Sequence, residues 1–248
     1  MEKDLYREMY ELELYHWWFR ARRRIVRKFI CLYMRNTSRP RFLDVGCGTG
    51  AMLKELEVLG EAVGMDASDE ALAFARARTQ ARLIKGNVPE DLYDFEEEFD
   101  FVLMLDLLEH LDDDLEALKS VSSVLRANGA LLITVPAFQF LYTQRDRYHH
   151  HRRRYRKSSL RRLMLEADLD IEYLSYYNFF LYPPAAARRV LSGLFDSKPG
   201  RDLALQPPSF NRVLEFVFAA ERFFLPRVSF PWGLSIISVA RPKRPGGT

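Results

Sequence analysis

The chain of 248 residues predicts a doubly wound α/β sheet. Three observations carry that expectation. Short apolar runs at 41–45, 62–65, 82–85, 99–105 and 130–135 alternate with stretches of helical periodicity. A glycine-rich turn, Gly46-Cys47-Gly48-Thr49-Gly50, joins the first run to the first helix after it. The run at 99–105 is almost wholly apolar, as a central parallel strand covered on both faces should be.

Residues 5–35 read as one helix, with Leu14, Trp17/Trp18, Ala21, Ile25, Phe29 and Leu32 at three-to-four spacing and arginines between them. Asn36 to Pro40 ends it. Arg41–Val45 is the first strand and Ala51–Gly60 a helix. Ala62–Met65 is the second strand, ending at Asp66. Ser68 caps a helix to about Thr79, with Glu70 in its first turn. Arg82–Lys85 is the third strand, ending at Gly86-Asn87, and Phe99–Leu105 the fourth. A helix covers Asp113–Leu125, and Asn128-Gly129 leads into the fifth strand, Ala130–Val135, stopped by Pro136. Ser158–Ala167 is a helix, Ile171–Tyr177 a sixth strand and Leu234–Ala240 a last one. The tail Pro242–Thr248 reads as frayed. Right-handed crossovers put helices on both faces, so ligands belong at the carboxyl ends of the strands.

Composition narrows the class. Hydrophobic residues make up 48% and charged residues 29%, the balance of a chain with a full core. The net charge of +3 is too small to demand a nucleic-acid partner. Cys31 and Cys47 make no disulfide framework, which points to a reducing compartment. The polar start Met1-Glu2-Lys3-Asp4 leads to no apolar segment, so no signal peptide is expected, and no run is long enough to span a bilayer. The expected location is cytoplasmic, with membrane-surface contact left open.

The glycine loop comes after a strand and opens a helix. Glycine lets the backbone turn tightly and approach a ligand closely. Asp66 lies at the end of the next strand, where a carboxylate can take both hydroxyls of a ribose. These features imply a nucleoside-containing cofactor, of either of two classes, because Gly46-x-Gly48-x-x-Ala51 also satisfies the dinucleotide fingerprint.

Asp44 in front of the loop completes a D-x-G-x-G-x-G pattern. Leu43 to Gly50 resembles motif I of class I S-adenosylmethionine-dependent methyltransferases. Gly64-Met65-Asp66-Ala67-Ser68 resembles that family's second-strand motif, and Leu105-Asp106-Leu107-Leu108-Glu109-His110-Leu111 its V-L-E-H-L segment. Val124 to Ala130 resembles its V-L-R-P-G-G segment, with Ala127 and Asn128 departing from it. The resemblance implies a Rossmann-like sheet of seven strands with the last antiparallel, and S-adenosylmethionine as cofactor. It places Gly46, Cys47, Gly48 and Gly50 along the methionine part and Asp44 near its amino group. Asp66 would hold the ribose and Met65 or Ala67 the adenine face. Asn87, where the family usually has Asp, and Val88 would lie beside the adenine amino group, and Asp106 and Leu107 near the sulfonium.

The acceptor side is sparser. His110 is a candidate base at the mouth of the fourth strand, or a cap on the next helix. The run His149-His150-His151 is a poor metal site, since adjacent histidines cannot all turn to one ion and no cysteine completes a set; no metal is expected. Val135-Pro136-Ala137, Asp146 and His151-Arg152-Arg153-Arg154-Tyr155 resemble a subgroup linked to glycan or lipid-linked saccharide pathways. By that likeness His151 is the base and Asp146 its orienting partner. Arg153, Arg154 and Tyr155 would bind an anionic substrate group; a solvated basic loop is the alternative. The place of the N/D-P-P-Y motif of nucleic-acid amino methylation is taken by Asp106-Leu107-Leu108-Glu109, so no nucleic-acid acceptor is expected.

The expected divisions are a cover helix at 1–40, a cofactor-binding core at 41–177, an aromatic-rich helical insertion at 178–232, and a final strand and tail at 233–248. The insertion either packs on the core or, with its Phe and Arg residues, meets a membrane surface. The function implied is methyl transfer to a small-molecule or lipid-linked acceptor, at oxygen. The alternatives are a nicotinamide-dependent oxidoreductase and a non-catalytic cofactor-binding partner of a glycosyltransferase.

Overall fold

The computed structural model describes residues 3–34, 37–96, 98–187 and 207–243. The tail expected to fray (244–248) and part of the insertion (188–206) lie outside the described residues. Seven strands form one sheet: β1 (Arg41–Val45), β2 (Glu61–Asp66), β3 (Arg82–Lys85), β4 (Phe99–Leu105), β5 (Leu125–Pro136), β6 (Leu169–Tyr177) and β7 (Ser235–Pro242). Their order is β3-β2-β1-β4-β5-β7-β6. β7 runs antiparallel to both β5 and β6, while β1 to β5 are parallel. The order reverses between β1 and β4, so the crevice between their carboxyl ends is the topological switch point.

β4 is buried along nearly its whole length, as its unbroken apolar run requires. Two short helices have no counterpart among the sequence expectations, α5 (Glu90–Tyr93) and α7 (Gln144–Tyr148). Neither is long enough for periodicity to declare itself. The other helices are α3 (Leu53–Leu56), α4 (Asp69–Arg78), α6 (Asp114–Ser123) and α8 (Lys157–Glu166). Ser68 caps α4 by accepting from the Ala71 amide at 3.2 Å.

The N-terminal segment departs from expectation. It forms two helices, α1 (Lys3–Leu12) and α2 (Trp17–Tyr33), with His16 as the N-cap of the second. No Pro or Gly marks the break. Tertiary contacts make it: Glu13 sits in the gap, where its carboxylate accepts from Thr49 and Arg78. Leu14 and Leu32, expected on the apolar stripe, are exposed; the buried stripe of α2 is Phe19, Ala21, Ile25, Val26, Phe29 and Ile30. Each large side chain on it contributes about 1.5–3 kcal/mol by leaving water.

Within the insertion, α9 (Pro208–Ala220) packs along α2. Asn211 accepts from the Trp17 amide at 3.0 Å and donates to the Tyr15 carbonyl at 2.9 Å. Glu215 pairs with Arg20 and Arg24 at 3.2 and 2.7 Å. Packing on the core is therefore what this helix does, although Phe210, Val213 and Phe216 face solvent. Among the described residues no helix is long and apolar enough to cross a membrane.

Candidate functional site

The site is built from the carboxyl ends of β1, β2 and β4. Gly46, Gly48 and Gly50 all take positive φ, at 73°, 54° and 81°. A Cβ on Gly46 would meet Leu107 at 2.9 Å, and one on Gly50 would meet Ala75 at 3.1 Å. Nothing described lies within 4 Å of the place a Cβ would take on Gly48, so there the loop faces open space. Two of these glycines are required by packing and turn geometry; the third lines the crevice.

Asp66 ties the second strand to this loop. Its Oδ2 accepts from the Gly48 amide and its Oδ1 from the Ser68 amide, both at 2.9 Å. A carboxylate has about four lone-pair positions, so these two bonds orient it and leave capacity for two hydroxyls. Ala67 is exposed beside it. Asn87 is exposed past β3, its backbone N–H donating to Asp91 at 2.6 Å, with Val88 next to it ahead of a cis peptide to Pro89.

Asp44 is buried at 2% exposure. Burial pushes its pKa up to about 7; Arg22 pulls it down, while Asp66 and Glu13 push it up. Burial likewise pushes the Cys47 thiol pKa up.

The N-terminal helices close this crevice through residues absent from the sequence-derived set. Glu13 joins the glycine loop through Thr49 and joins α4 through Arg78, whose guanidinium also donates to the Tyr10 carbonyl at 2.5 Å. Arg22 projects from α2 to Asp106 Oδ2 at 2.6 Å and to Thr134 Oγ1 at 3.4 Å. A signal for Arg22 does exist in the sequence: Phe19, Arg22, Val26 and Phe29 fall on one helical stripe, and a lone cation on an apolar face needs a partner. Asp106 has φ of 54°, strained backbone for a residue other than glycine, and accepts from Thr134 at 3.2 Å. Leu107 adjoins it against Gly46.

The acceptor side gathers after β4 and β5. His151 Nδ1 donates to Asp146 Oδ1 at 3.1 Å. Asp146 is 1% exposed and also takes Arg154 Nε at 2.8 Å. Burial would raise its pKa, but the His151 bond and the Arg154 charge outweigh that and hold it well below the usual carboxylate range. His110 stacks edge-on against His151, ring centroids 4.7 Å apart. Burial, then the neighbouring His151, lower the His110 pKa to about 4, so its ring is neutral at pH 7. Glu109 is fully buried, and neither of its carboxylate oxygens has a hydrogen-bond partner among the described residues. Burial and the nearby Asp106 raise its pKa well above the usual range.

The three expected substrate ligands all make contacts within the protein. Arg153 donates to Asp114 and to the Leu111 and Asp112 carbonyls, all at 3.0 Å. Arg154 is 4% exposed at its side chain and clamps Asp146 and the Ala137 carbonyl. The Tyr155 hydroxyl donates to Asp114 at 2.8 Å and is buried. Their hydrogen bonds tie the segment after β5 to the segment after β4. The reason is their place beside the bridge between Ala137 and Tyr155, which ties this loop to the sheet.

A model of the methyltransferase domain matches residues 17–174. Among curated relatives, the mitochondrial ubiquinone biosynthesis O-methyltransferase of Arabidopsis thaliana is 32% identical over 101 residues, 38% of this chain and 31% of that protein. The ubiquinone biosynthesis O-methyltransferase of Ruegeria pomeroyi is 33% identical over 102 residues, 38% of this chain and 41% of that protein. The match thus spans about a third to two fifths of those relatives' length. A SAM-dependent methyltransferase structure from Archaeoglobus fulgidus superposes with TM-score 0.56 at 18% identity, covering 89% of this chain and 91% of that one. A plantazolicin methyltransferase in complex with SAH superposes with TM-score 0.58 at 14% identity, covering 91% and 86%. At these identities the likeness is one of fold.

Proposed function

The chain belongs to the methyltransferase-domain family, and from that premise we propose that it transfers a methyl group from S-adenosylmethionine to a small-molecule acceptor, at oxygen. The observation that carries the cofactor assignment is the open face of the loop at Gly48 beside an Asp66 carboxylate already oriented by the Gly48 and Ser68 amides. The donor set suits the ligand: a carboxylate for ribose hydroxyls, a side-chain-free turn for close backbone approach, and Asp44 for a cationic amino group. Asp66 holds the ribose, Gly46 to Gly50 the methionine part, and Ala67, Asn87 and Val88 the adenine. Bound S-adenosylmethionine supplies a methyl on a sulfonium, which leaves as a neutral thioether when an acceptor oxygen attacks the carbon.

The residues of this chain then have three tasks. The Arg22–Asp106 pair and Leu107 close the wall beside the crevice and exclude water. Alignment in such a pocket is worth roughly 7–11 kcal/mol of barrier. His151, its Nδ1 held by Asp146, offers Nε2 to the acceptor's hydroxyl proton, a contribution of about 10²–10⁴-fold. Arg154 and Tyr155 fix the loop that carries it. The finer reading, a lipid-linked saccharide acceptor, rests on the segment 135–155 and on the aromatic residues that α9 leaves exposed.

Calorimetric titration with S-adenosylmethionine and with NAD tests the cofactor. Saturable binding of the former, lost in Asp66→Ala, is expected; binding of NAD alone overturns the reading. A methyl-release assay on small phenolic and lipid-linked acceptors then separates an enzyme from a cofactor-binding partner protein.

A further inference from the structure

We propose that Glu109, His110 and His151 form a binding site for one divalent transition-metal ion of the zinc class. The run of histidines is not the site: the fold takes one histidine from it and adds the Glu-His pair just past β4. One donor atom from each of the three residues lies within 4.8 Å of the others. Donors on one tetrahedral zinc ion lie about 3.4 Å apart, so side-chain movements of roughly 1–1.5 Å close the set.

The second observation is independent of that clustering. Glu109 is fully buried with both oxygens unpartnered among the described residues, although buried polar groups in proteins are almost always satisfied. A cation between it and the two imidazoles would supply the missing partner. The scaffold for such an ion is present. The Glu109 carbonyl accepts from the Arg152 amide at 2.8 Å, and the His110 carbonyl from Arg152 Nε at 2.9 Å, which joins the two segments that carry the ligands. His151 Nδ1 is already bonded to Asp146, which leaves Nε2 for the ion and reproduces the carboxylate–histidine–metal arrangement. The nearby guanidinium groups are each paired with a carboxylate, Arg154 with Asp146, Arg22 with Asp106 and Arg152 with Asp112. Two imidazoles and a carboxylate suit Zn²⁺ and leave a coordination position open.

The metal site goes beyond the methyl-transfer reading and does not need it. Where His151 is the proton acceptor, an ion takes the same lone pair, so zinc and turnover compete. Titration of ZnCl₂ into the chelator-treated full chain, without cofactor, is expected to show one ion per chain. Co²⁺ in its place should give visible d–d absorption. Asp146→Asn, which removes no ligand, should weaken zinc about 10–100-fold, His110→Ala and His151→Ala at least as much, and His150→Ala not at all. Zinc-edge X-ray absorption of the unmutated protein should show two imidazoles. No saturable uptake, a shell without imidazole, or loss of binding in His150→Ala but not in His110→Ala would overturn the proposal. None of these results bears on the Asp66→Ala titration, so the two readings fail separately.

Discussion

Replacing Arg22 with Met tests whether the N-terminal helix is part of the site or merely covers it. Arg22 and Asp106 approach to 2.6 Å with side chains only 14% and 22% exposed. Removing one partner of a buried pair costs roughly 3–5 kcal/mol, because the other charge stays in a poor solvent. The residual exposure puts this pair at the lower end, about 3 kcal/mol. Asp106 keeps the Thr134 hydroxyl, and Asp44 loses the cation that lowers its pKa. In a domain of this size about 3 kcal/mol corresponds to a fall in Tm of about 6–12 °C. Met keeps much of the aliphatic stem, so the loss reports charge more than packing. The second arm is Arg22→Met with Asp106→Asn, which removes both charges and should recover about 2 kcal/mol of the loss, since an apolar–neutral pair lacks the stranded carboxylate. Thermal and urea denaturation of the two single variants and the double variant give the coupling energy. A single variant that melts within about 2 °C of the parent, or a double variant that is simply additive, would show that the pair does not tie α2 to the crevice.

The same geometry sets other outcomes. Gly48→Ala should fold nearly normally, at about 1–2 kcal/mol for positive φ, yet bind S-adenosylmethionine weakly, because its methyl enters open space in the crevice. Gly64→Ala, whose Cβ would meet Leu53 at 2.5 Å, should instead lower Tm, so melting curves and calorimetry sort the two. His151→Ala should reduce turnover about 10²–10⁴-fold while cofactor affinity holds, and equal loss of both would make His151 structural. Asp44 is neutral in the folded chain up to about pH 7 but ionised in the unfolded chain above its ordinary value of 3.8. Between those values the folded state holds the extra proton, so the Asp44 contribution to stability declines as pH rises. Affinity for a cofactor with a cationic amine should climb over the upper part of the same window, and Asp44→Asn should flatten that climb in titrations from pH 6 to 8.

The strands at 41–45, 82–85 and 99–105 are legible to the residue because apolar runs bounded by Gly, Pro or Asp are a local signal. The glycine loop is legible because a turn needing positive φ limits residue type wherever it occurs, and Asp66 because it ends an apolar strand. The break before His16 is not, since nothing in Glu13-Leu14-Tyr15 opposes a helix. It is held by contacts distant in sequence: the Glu13 carboxylate on Thr49 and Arg78, 36 and 65 residues away, and Asn211 on the Trp17 amide and Tyr15 carbonyl. Likewise, Arg153, Arg154 and Tyr155 look in sequence like an exposed basic cluster. Their engagement with Asp114 and Asp146 depends on how the loop after β5 crosses the segment after β4.

By itself, then, the amino-acid order determined the layered sheet, the glycine loop and the place of Asp66 at the end of the second strand, because periodicity and backbone conformation act within a few positions of one another. Which charges meet was decided only by the tertiary structure. Arg22 reaches Asp106, Glu13 reaches the glycine loop, and one histidine of three reaches Glu109 and His110. Electrostatic pairing falls off with distance through space and ignores distance along the chain.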